Sequence, residues 1–282
     1  MTRATRLAPF AVLLSFLAFV SRPLLAEPVD VELVLAADGS GSIDEDEFML
    51  QRRGYAEAIT SRPVLAAIAG GRHGAIALAF VEWAAPDSVH TIVDWMVIRG
   101  PVEAADFAAR LVAAPRLARG YNSISEAIAH STRLIETNAH EGARKVIDVS
   151  GDGPQMNGRP LPLMRAAALN AGITINALLI RRAGGGVPGP RGEALGEHYA
   201  NEVIGGFGAF LMTVEGELNF AEAIRKKMIQ EIADARPTDG GDGAPDPDDA
   251  RRHGRDRLAA QRDDRAIAVD AATRKRARRD GW

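Results

Sequence analysis

The sequence contains no cysteine, and this absence limits the chemistry that is open to the protein. Without thiols there can be no disulfide bond, no thiolate metal site and no lipid-modified N-terminal cysteine. The fold must therefore be stable without covalent cross-links. The formal net charge is also small, -3 over 282 residues, so the charge balance gives no indication of a nucleic-acid partner.

The sequence signatures of several enzyme classes are missing as well. The six histidines show no H-E-x-x-H spacing, and we interpret each as a surface or loop residue rather than a zinc ligand. Gly39-Ser40-Gly41 lacks the G-x-S-x-G elbow of a serine hydrolase. The glycine-rich stretch 184–190 lacks the ending of a phosphate-binding loop, and Asp44 stands where a dinucleotide-binding motif needs its third glycine. The sequence therefore predicts a protein that is not an enzyme.

The N-terminal segment has the composition of an export signal. Arg3 and Arg6 precede an apolar stretch over residues 8–20, and Leu24-Leu25-Ala26 provides a cleavage site that ends in a small residue. The apolar stretch is short against the roughly 20 residues that a membrane-spanning helix requires. We therefore predict a cleaved signal peptide over residues 1–26 and a periplasmic or secreted mature protein.

Residues 236–282 differ in composition from the rest of the chain. The stretch 239–249 is rich in Gly, Pro and Asp, and residues 251–282 mix Arg with Asp around few large apolar side chains. Such a segment buries too little apolar surface to offset the entropy of ordering it. We predict a disordered charged tail. Its basic run at 274–279 could make a weak contact with an anionic surface, and the alternative is a tail that is simply solvated.

Between these two segments, strand patterns alternate with helical patterns. Apolar runs predict six strands, at 31–37, 75–81, 89–98, 145–150, 173–180 and 209–214. The link between the second and third runs is short, so these two strands should pair antiparallel at one edge of the sheet. The domain should therefore be α/β and doubly wound, with a mostly parallel six-stranded sheet, one antiparallel edge strand and helices on both faces. A helix over 219–235 ends it.

Small polar residues follow two of these strands at their carboxyl ends. Asp38-Gly39-Ser40-Gly41-Ser42 follows the first strand, and Ser150-Gly151-Asp152-Gly153 follows the fourth. Asn122 lies in a loop before a helix whose Ser123 and Glu126 have the spacing of a capping box. Ligands of open α/β sheets bind at the carboxyl ends of strands, and oxygen ligands suit Mg²⁺. The alternative for the first motif is a helix cap.

With these motifs the sequence resembles the von Willebrand factor type A (vWA) fold with its metal-ion-dependent adhesion site (MIDAS). It resembles in particular an exported bacterial vWA-like family of unknown function. The resemblance covers about residues 29–235 and includes the late segment Asn201–Phe210, which carries no chemistry. It implies a Rossmann-like vWA domain over residues 27–235.

The resemblance also implies a set of metal ligands. Ser40 and Ser42 would ligate the metal through their hydroxyl groups, and Asp38 and Asp152 would hold coordinated waters. Asn122 occupies a position at which the family usually has Thr, and its longer side chain would offer an amide oxygen. The implied cation is Mg²⁺, with Mn²⁺ or Ca²⁺ as alternatives.

The implied function is binding without turnover. Neutral hydroxyl ligands leave the cation much of its Lewis acidity, so a carboxylate from a partner is favoured electrostatically. The protein would be an exported adhesion or assembly module that captures an exposed Asp or Glu of another protein. Two alternatives stay open: a scaffold that has lost metal binding, which the Asn122 departure allows, and a metal-assisted hydrolase using Asp38 and Asp152. Ser123 is a substitute ligand beside Asn122.

Overall fold

The computed structural model describes residues 27–41, 43–181, 187–215 and 220–233. The strands are β1 (Glu27–Asp38), β2 (Ile76–Trp83), β3 (Val89–Ile98), β4 (His140–Gly151), β5 (Ile173–Arg181) and β6 (Leu211–Glu215). The helices are α1 (Glu45–Thr60), α2 (Arg62–Ala69), α3 (Pro101–Ala113), α4 (Ile124–Thr137), α5 (Leu161–Asn170), α6 (Leu195–His198) and α7 (Phe220–Ala233). A π-helical turn, Tyr199–Val203, continues α6. The predicted signal peptide, Ser42 and the predicted tail lie outside the described residues.

The strands form one six-stranded sheet in the order β3-β2-β1-β4-β5-β6. Every neighbouring pair is parallel except β2 with β3, which is antiparallel and places β3 at an edge. The predicted fold class is therefore confirmed. β1 lies between β2 and β4, and its residues 29–38 are all buried, as expected for an apolar strand that is covered on both faces.

Helices cover both faces of the sheet and produce two apolar layers. One layer packs α1, α2, α3 and α7 on the sheet and includes Tyr55, Phe107 and Ile224. The other packs α4, α5 and α6 on the opposite face and includes Ile128 and Leu161. Burial of these side chains is the main source of stability in a chain that has no disulfide bonds. No helix in the described part of the chain is long and apolar enough to cross a membrane.

Two elements begin or form where the sequence did not indicate them. β4 starts at His140, five residues before the predicted apolar run, because residues 140–144 pair with the first residues of β1. This stretch, His-Glu-Gly-Ala-Arg, has little β-propensity, so the neighbouring strand decides its conformation. Residues 62–69 form the helix α2, with Pro63 in its first turn.

The predicted capping box of α4 is wrong. The Ser123 side chain makes no capping hydrogen bond; its hydroxyl donates instead to a carbonyl of the loop after β4. The Glu126 carboxylate pairs with the Arg159 guanidinium. A capping box does form at the start of α1, between Asp44 and Glu47. At α4, tertiary partners for both side chains replaced the local hydrogen bonds that the spacing predicts.

Four side chains of α7 occupy the predicted apolar stripe and are buried against the sheet, namely Phe220, Ile224, Met228 and Ile232. Beside them is a buried ionic cluster. The ammonium group of Lys227 lies 2.5 Å from the Asp148 carboxylate of β4 and also contacts Glu231. Asn176 of β5 donates to the Glu231 carboxylate at 3.2 Å. The cluster therefore joins the last helix to two central strands.

Candidate functional site

The carboxyl ends of β1 and β4 and the loop before α4 bring four of the five predicted site residues together. We call this end of the sheet the C-terminal pole. One oxygen of the Asp38 carboxylate accepts a hydrogen bond from the Ser40 amide at 2.7 Å, and the other accepts one from the Asn122 side-chain amide at 3.1 Å. The Ser40 hydroxyl and the Asp152 main chain also bond to Asp38. Ser42, the remaining predicted ligand, lies outside the described residues.

The site residues, Asp38, Ser40, Asn122 and Asp152, are buried, and together we call them the Asp38 cluster. Burial raises the pKa of Asp38 to about 7, and the nearby negative charge of Asp152 raises it as well. Hydrogen bonds from Ser40 and from the Asp152 main chain oppose this increase. The negative charge of Asp152 therefore destabilises the charged form of Asp38, and a bound cation would relieve this repulsion.

Glycines allow the loops to approach this closely. A Cβ atom on Gly151 would lie 2.8 Å from the Tyr199 hydroxyl and 3.2 Å from an Asp38 carboxylate oxygen. A Cβ atom on Gly153 would lie 2.5 Å from the Asn122 amide nitrogen. The space beside Asp38 therefore exists because these positions carry no side chain.

Asn122 and Ser123 differ in how they relate to the cluster. The Asn122 side chain directs its amide nitrogen at Asp38 and so acts as a hydrogen-bond donor to that carboxylate. The Ser123 side chain is completely buried, and its hydroxyl donates to the Asn157 carbonyl at 2.6 Å. Of the two, Asn122 is the residue whose side chain meets Asp38.

The sequence did not indicate the side chains that hold the β4–α5 loop. The Tyr199 hydroxyl donates to the Gly153 carbonyl at 2.9 Å, and burial, together with the charges of Asp38 and Asp152, raises the pKa of Tyr199. The preceding residue, His198, is 3% exposed, and its Nε2 accepts a hydrogen bond from the Gln155 main-chain amide. The interpretation of His198 as a surface or loop residue is therefore wrong. A short helical pattern at 195–203 was the only signal in this stretch.

We expect Tyr199→Phe to reduce the free energy of unfolding by about 1 kcal/mol, because it leaves the buried Gly153 carbonyl without its donor. Amide hydrogen exchange of the loop 152–155 should become faster. Tyr121→Phe is the matched control, since Tyr121 is 69% exposed. Unchanged exchange in the loop of the Tyr199 variant would contradict the positioning role.

Arg116 fixes the main chain of the first motif. Its guanidinium donates to the carbonyls of Gly39 and Ser40 at 3.1 Å and to that of Ile43 at 2.8 Å. It also lies over the Phe48 ring, 4.8 Å from the centroid. One planar group therefore holds the three carbonyls of Gly39, Ser40 and Ile43 in place. An Arg in a loop carries no pattern that predicts this contact.

The polar side chains of the Asp38 cluster include the oxygen ligands that a hard cation prefers, but only two of them are carboxylates. Asp38 and Asp152 supply carboxylates, while Ser40 and Asn122 supply neutral polar groups. Among the described residues, no three His, Cys, Asp or Glu side chains lie close enough to hold a metal ion. A cation at this pole would therefore depend on hydroxyl and water ligands, which Mg²⁺ accepts.

The sheet order, with its antiparallel edge strand, defines a vWA-type α/β domain, and solved structures share this fold. The pilus adhesin SpaC of Lactobacillus rhamnosus GG matches with a TM-score of 0.53 and 12% identity over 74% of this chain and 31% of that chain. The proximal thread matrix protein 1 (PTMP1) of the mussel byssus, with a zinc-occupied MIDAS motif, matches with a TM-score of 0.51 and 14% identity. The match covers 74% of this chain and 46% of that chain. The vWF domain of the pilus tip protein Mfa5 of Porphyromonas gingivalis matches with a TM-score of 0.50 and 11% identity. The match covers 76% of this chain and 99% of that chain.

Residues 28–236 match the profile of a family described as a protein of unknown function, DUF1194, and the chain belongs to this family. The chain spans less than half the length of the SpaC and mussel proteins. No curated protein sequence matches it.

Proposed function

We propose that this protein is a divalent-cation-dependent protein-binding module whose site is the C-terminal pole. The observation that carries the proposal is the convergence of two buried carboxyl groups, Asp38 at the end of β1 and Asp152 directly after the adjacent parallel strand β4. Desolvation and the charge of Asp152 both act against ionisation of Asp38, and only hydrogen bonds favour it. A divalent cation would stabilise the charged form of Asp38.

Ser40 and Ser42 would hold the cation through hydroxyl groups, with Asp38, Asp152 and Asn122 as the other polar groups of the site. The bound cation, Mg²⁺ or alternatively Mn²⁺ or Ca²⁺, would supply a coordination position for a carboxylate. The zinc-occupied MIDAS motif of the mussel protein supports metal binding by a site on this fold.

The partner would be a protein with an exposed Asp or Glu side chain. Two exposed apolar side chains border the Asp38 cluster. Tyr121 precedes Asn122 and is 69% exposed; Met156 is 53% exposed, and its amide donates to the Asn122 carbonyl at 3.0 Å. Exposed apolar side chains around a polar centre are typical of a surface that binds another protein. SpaC and Mfa5 are named as a pilus adhesin and a pilus tip protein, which supports adhesion or assembly outside the cytoplasm.

A metal-free scaffold is the second candidate, and one contact favours it. The Asn122 amide donates to Asp38 and so provides part of the positive potential that a cation would provide. In this alternative, the domain binds partners through its surface, and chelators have no effect on it. We propose no catalytic activity for either case.

The test is calorimetric titration of Mg²⁺ and Mn²⁺ into the full mature chain, beside Asp38→Ala and Ser40→Ala. We expect the wild type to bind one equivalent and both variants to lose about tenfold or more in affinity. Asp87→Asn, an exposed carboxylate on the β2–β3 turn, is the control and should bind as the wild type does.

Absence of binding by the wild type would reject the cation-dependent proposal in favour of the scaffold. Metal binding together with turnover of phosphate or ester substrates would instead assign a hydrolase. Affinity capture from the exporting compartment, with and without a chelator, then identifies the partner, and we expect the chelator to release it.

A further inference from the structure

The loop after β1 carries main-chain carbonyl oxygens as well as the side chains of the first motif. Either kind of oxygen can bind a hard cation, so the direction of the carbonyls affects which cation the loop accepts. One terminal nitrogen of the Arg116 guanidinium lies within 3.1 Å of the carbonyl oxygens of Gly39, Ser40 and Ile43. Three carbonyls of this loop are therefore directed at a positively charged side chain.

The peptide units that carry two of these carbonyls are fixed at both ends. A trans peptide directs its C=O and its N–H to opposite sides. In the first unit, the Ser40 N–H donates to the Asp38 carboxylate at 2.7 Å, so the Gly39 carbonyl points away from that carboxylate. In the second unit, the Gly41 N–H donates at 2.9 Å to a carbonyl of the loop before α4, and the Ser40 carbonyl accepts from Arg116. A change at Arg116 is therefore felt by the main chain beside Asp38.

Carbonyls of the neighbouring loops at the C-terminal pole are bound by neutral donors. The carbonyls of Gly120, Asn122 and Gly153 each accept a hydrogen bond from a main-chain amide or from the Tyr199 hydroxyl. Arg116 differs from these donors because it is charged and because its three hydrogen bonds fall on one loop. Removal of its guanidinium would therefore release three carbonyl oxygens of the first motif together.

Arg116 is itself positioned by α1 and by a buried ion pair. Its guanidinium lies 4.8 Å from the centroid of the Phe48 ring, and the Arg52 guanidinium lies 4.5 Å from the same centroid. Arg52 is buried, pairs with the Glu82 carboxylate at 2.7 Å and donates to the Pro115 carbonyl at 3.0 Å. Pro115 directly precedes Arg116, so the ion pair holds the chain from which Arg116 reaches the loop.

We propose that Arg116 determines the cation selectivity of the C-terminal pole. By holding three carbonyls, it leaves the loop with side-chain oxygens and waters as ligands, which suits Mg²⁺. Ca²⁺ takes roughly six to eight oxygen ligands and commonly uses main-chain carbonyls, so Ca²⁺ loses more than Mg²⁺ when these carbonyls are held. This inference rests on the proposed cation-dependent function and adds the residue that selects Mg²⁺ over Ca²⁺.

The test is calorimetric titration of Mg²⁺ and of Ca²⁺ into the full mature chain, beside Arg116→Met. We expect the wild type to bind Mg²⁺ at least about tenfold more tightly than Ca²⁺, and the variant to lose most of this preference. Loss of one positive charge should strengthen binding of both cations. Because both are divalent, the ratio of the two affinities isolates the effect of the carbonyls.

Two further variants separate the carbonyl contacts from the charge. Arg119→Met removes a positive charge from an exposed side chain of the same loop and should leave the affinity ratio unchanged. Arg116→Lys keeps the charge and can donate to the carbonyls only from a shorter side chain, so its ratio should lie between those of the wild type and Arg116→Met. This milder variant also tests the proposal if Arg116→Met does not fold.

Amide hydrogen exchange in the presence of a chelator examines the loop without any cation. The amides of Ser40 and Gly41 should exchange faster in Arg116→Met than in the wild type, because the carbonyls of their peptide units are no longer held. Unchanged exchange at both amides would contradict the role of Arg116.

The titrations distinguish failure of this inference from failure of the proposed function. Absence of cation binding by the wild type would reject both. Cation binding by the wild type with equal affinity for Mg²⁺ and Ca²⁺, or a ratio that is the same in the wild type and both Arg116 variants, would overturn only the role of Arg116. A ratio that shifts as much in Arg119→Met as in Arg116→Met would assign the effect to charge and overturn it as well.

Discussion

Lys227→Met is expected to reduce the free energy of unfolding by about 3–5 kcal/mol at pH 8. Lys227 is completely buried on α7, and its ammonium group contacts the carboxylates of both Asp148 and Glu231. Met fills most of the same volume, so the loss arises from two carboxylates that remain buried without a cation. Urea unfolding at pH 8 and pH 5 measures it.

The pH dependence separates this explanation from a packing defect. Burial raises the pKa of Asp148, and burial together with the Asp148 charge raises the pKa of Glu231 to about 7 from its usual 4.5. The folded protein therefore binds protons that the unfolded chain has released, and stability falls as the pH rises through this interval. Without Lys227 both pKa values rise further, so the deficit of the variant should be smaller at pH 5 than at pH 8.

Lys226→Met is the matched control for this substitution. Lys226 is the preceding residue, 64% exposed, and pairs with Glu222 on the helix surface. Its replacement should change stability by no more than about 0.5 kcal/mol. If Lys227→Met loses the same free energy at both pH values, the buried carboxylates are not the cause.

Asp38→Asn is expected to stabilise the protein by about 2 kcal/mol at pH 8 in the presence of a chelator. Burial and the Asp152 charge raise the pKa of Asp38 from 3.8 to about 7 in the folded protein. The folded state therefore binds an extra proton between these values, and the wild type loses stability as the pH rises through them. Asn carries no charge, keeps an acceptor for the Ser40 amide, and can pair with Asn122 if that amide rotates.

With saturating Mg²⁺, the wild type should instead be more stable than the Asp38→Asn variant. At a concentration of about 100 times its Kd, a cation that binds only the folded state adds about 2.7 kcal/mol to the wild type. The Asn variant should gain little, because it lacks one of the two carboxylates. Thermal unfolding with and without Mg²⁺ at pH 5 and pH 8 measures both effects, with Asp87→Asn as the control. An Asn variant that is less stable than the wild type in chelator at pH 8 would show that the Asp38 charge does not destabilise the folded protein.

The strands could be predicted from the sequence because the buried ones are continuous apolar runs. The short link between β2 and β3 predicted their antiparallel pairing, and the edge position of β3 confirms it. The Asp38 and Asp152 motifs could be placed near each other because adjacent parallel strands end at the same edge of a sheet. Each of these inferences needs only local pattern and chain connection.

Local pattern failed where a distant partner decided the outcome. Ser123 and Glu126 have the spacing of a capping box, yet the β4–α5 loop binds both side chains. Residues 140–144 contain no strand signal, yet they extend β4 because β1 runs beside them. His198 was interpreted as a surface or loop residue, but Gln155 and Glu193 bind it in a buried position.

The sequence alone determined the α/β class, the six strands and the motifs that supply Asp38, Ser40, Asn122 and Asp152, since periodicity and residue type are local properties. Only the tertiary structure decided how Asp38 is surrounded and which side chains hold the loops. Hydrogen bonds and charge interactions act over a few ångströms in space, and the residues that make them here are tens of positions apart in the chain.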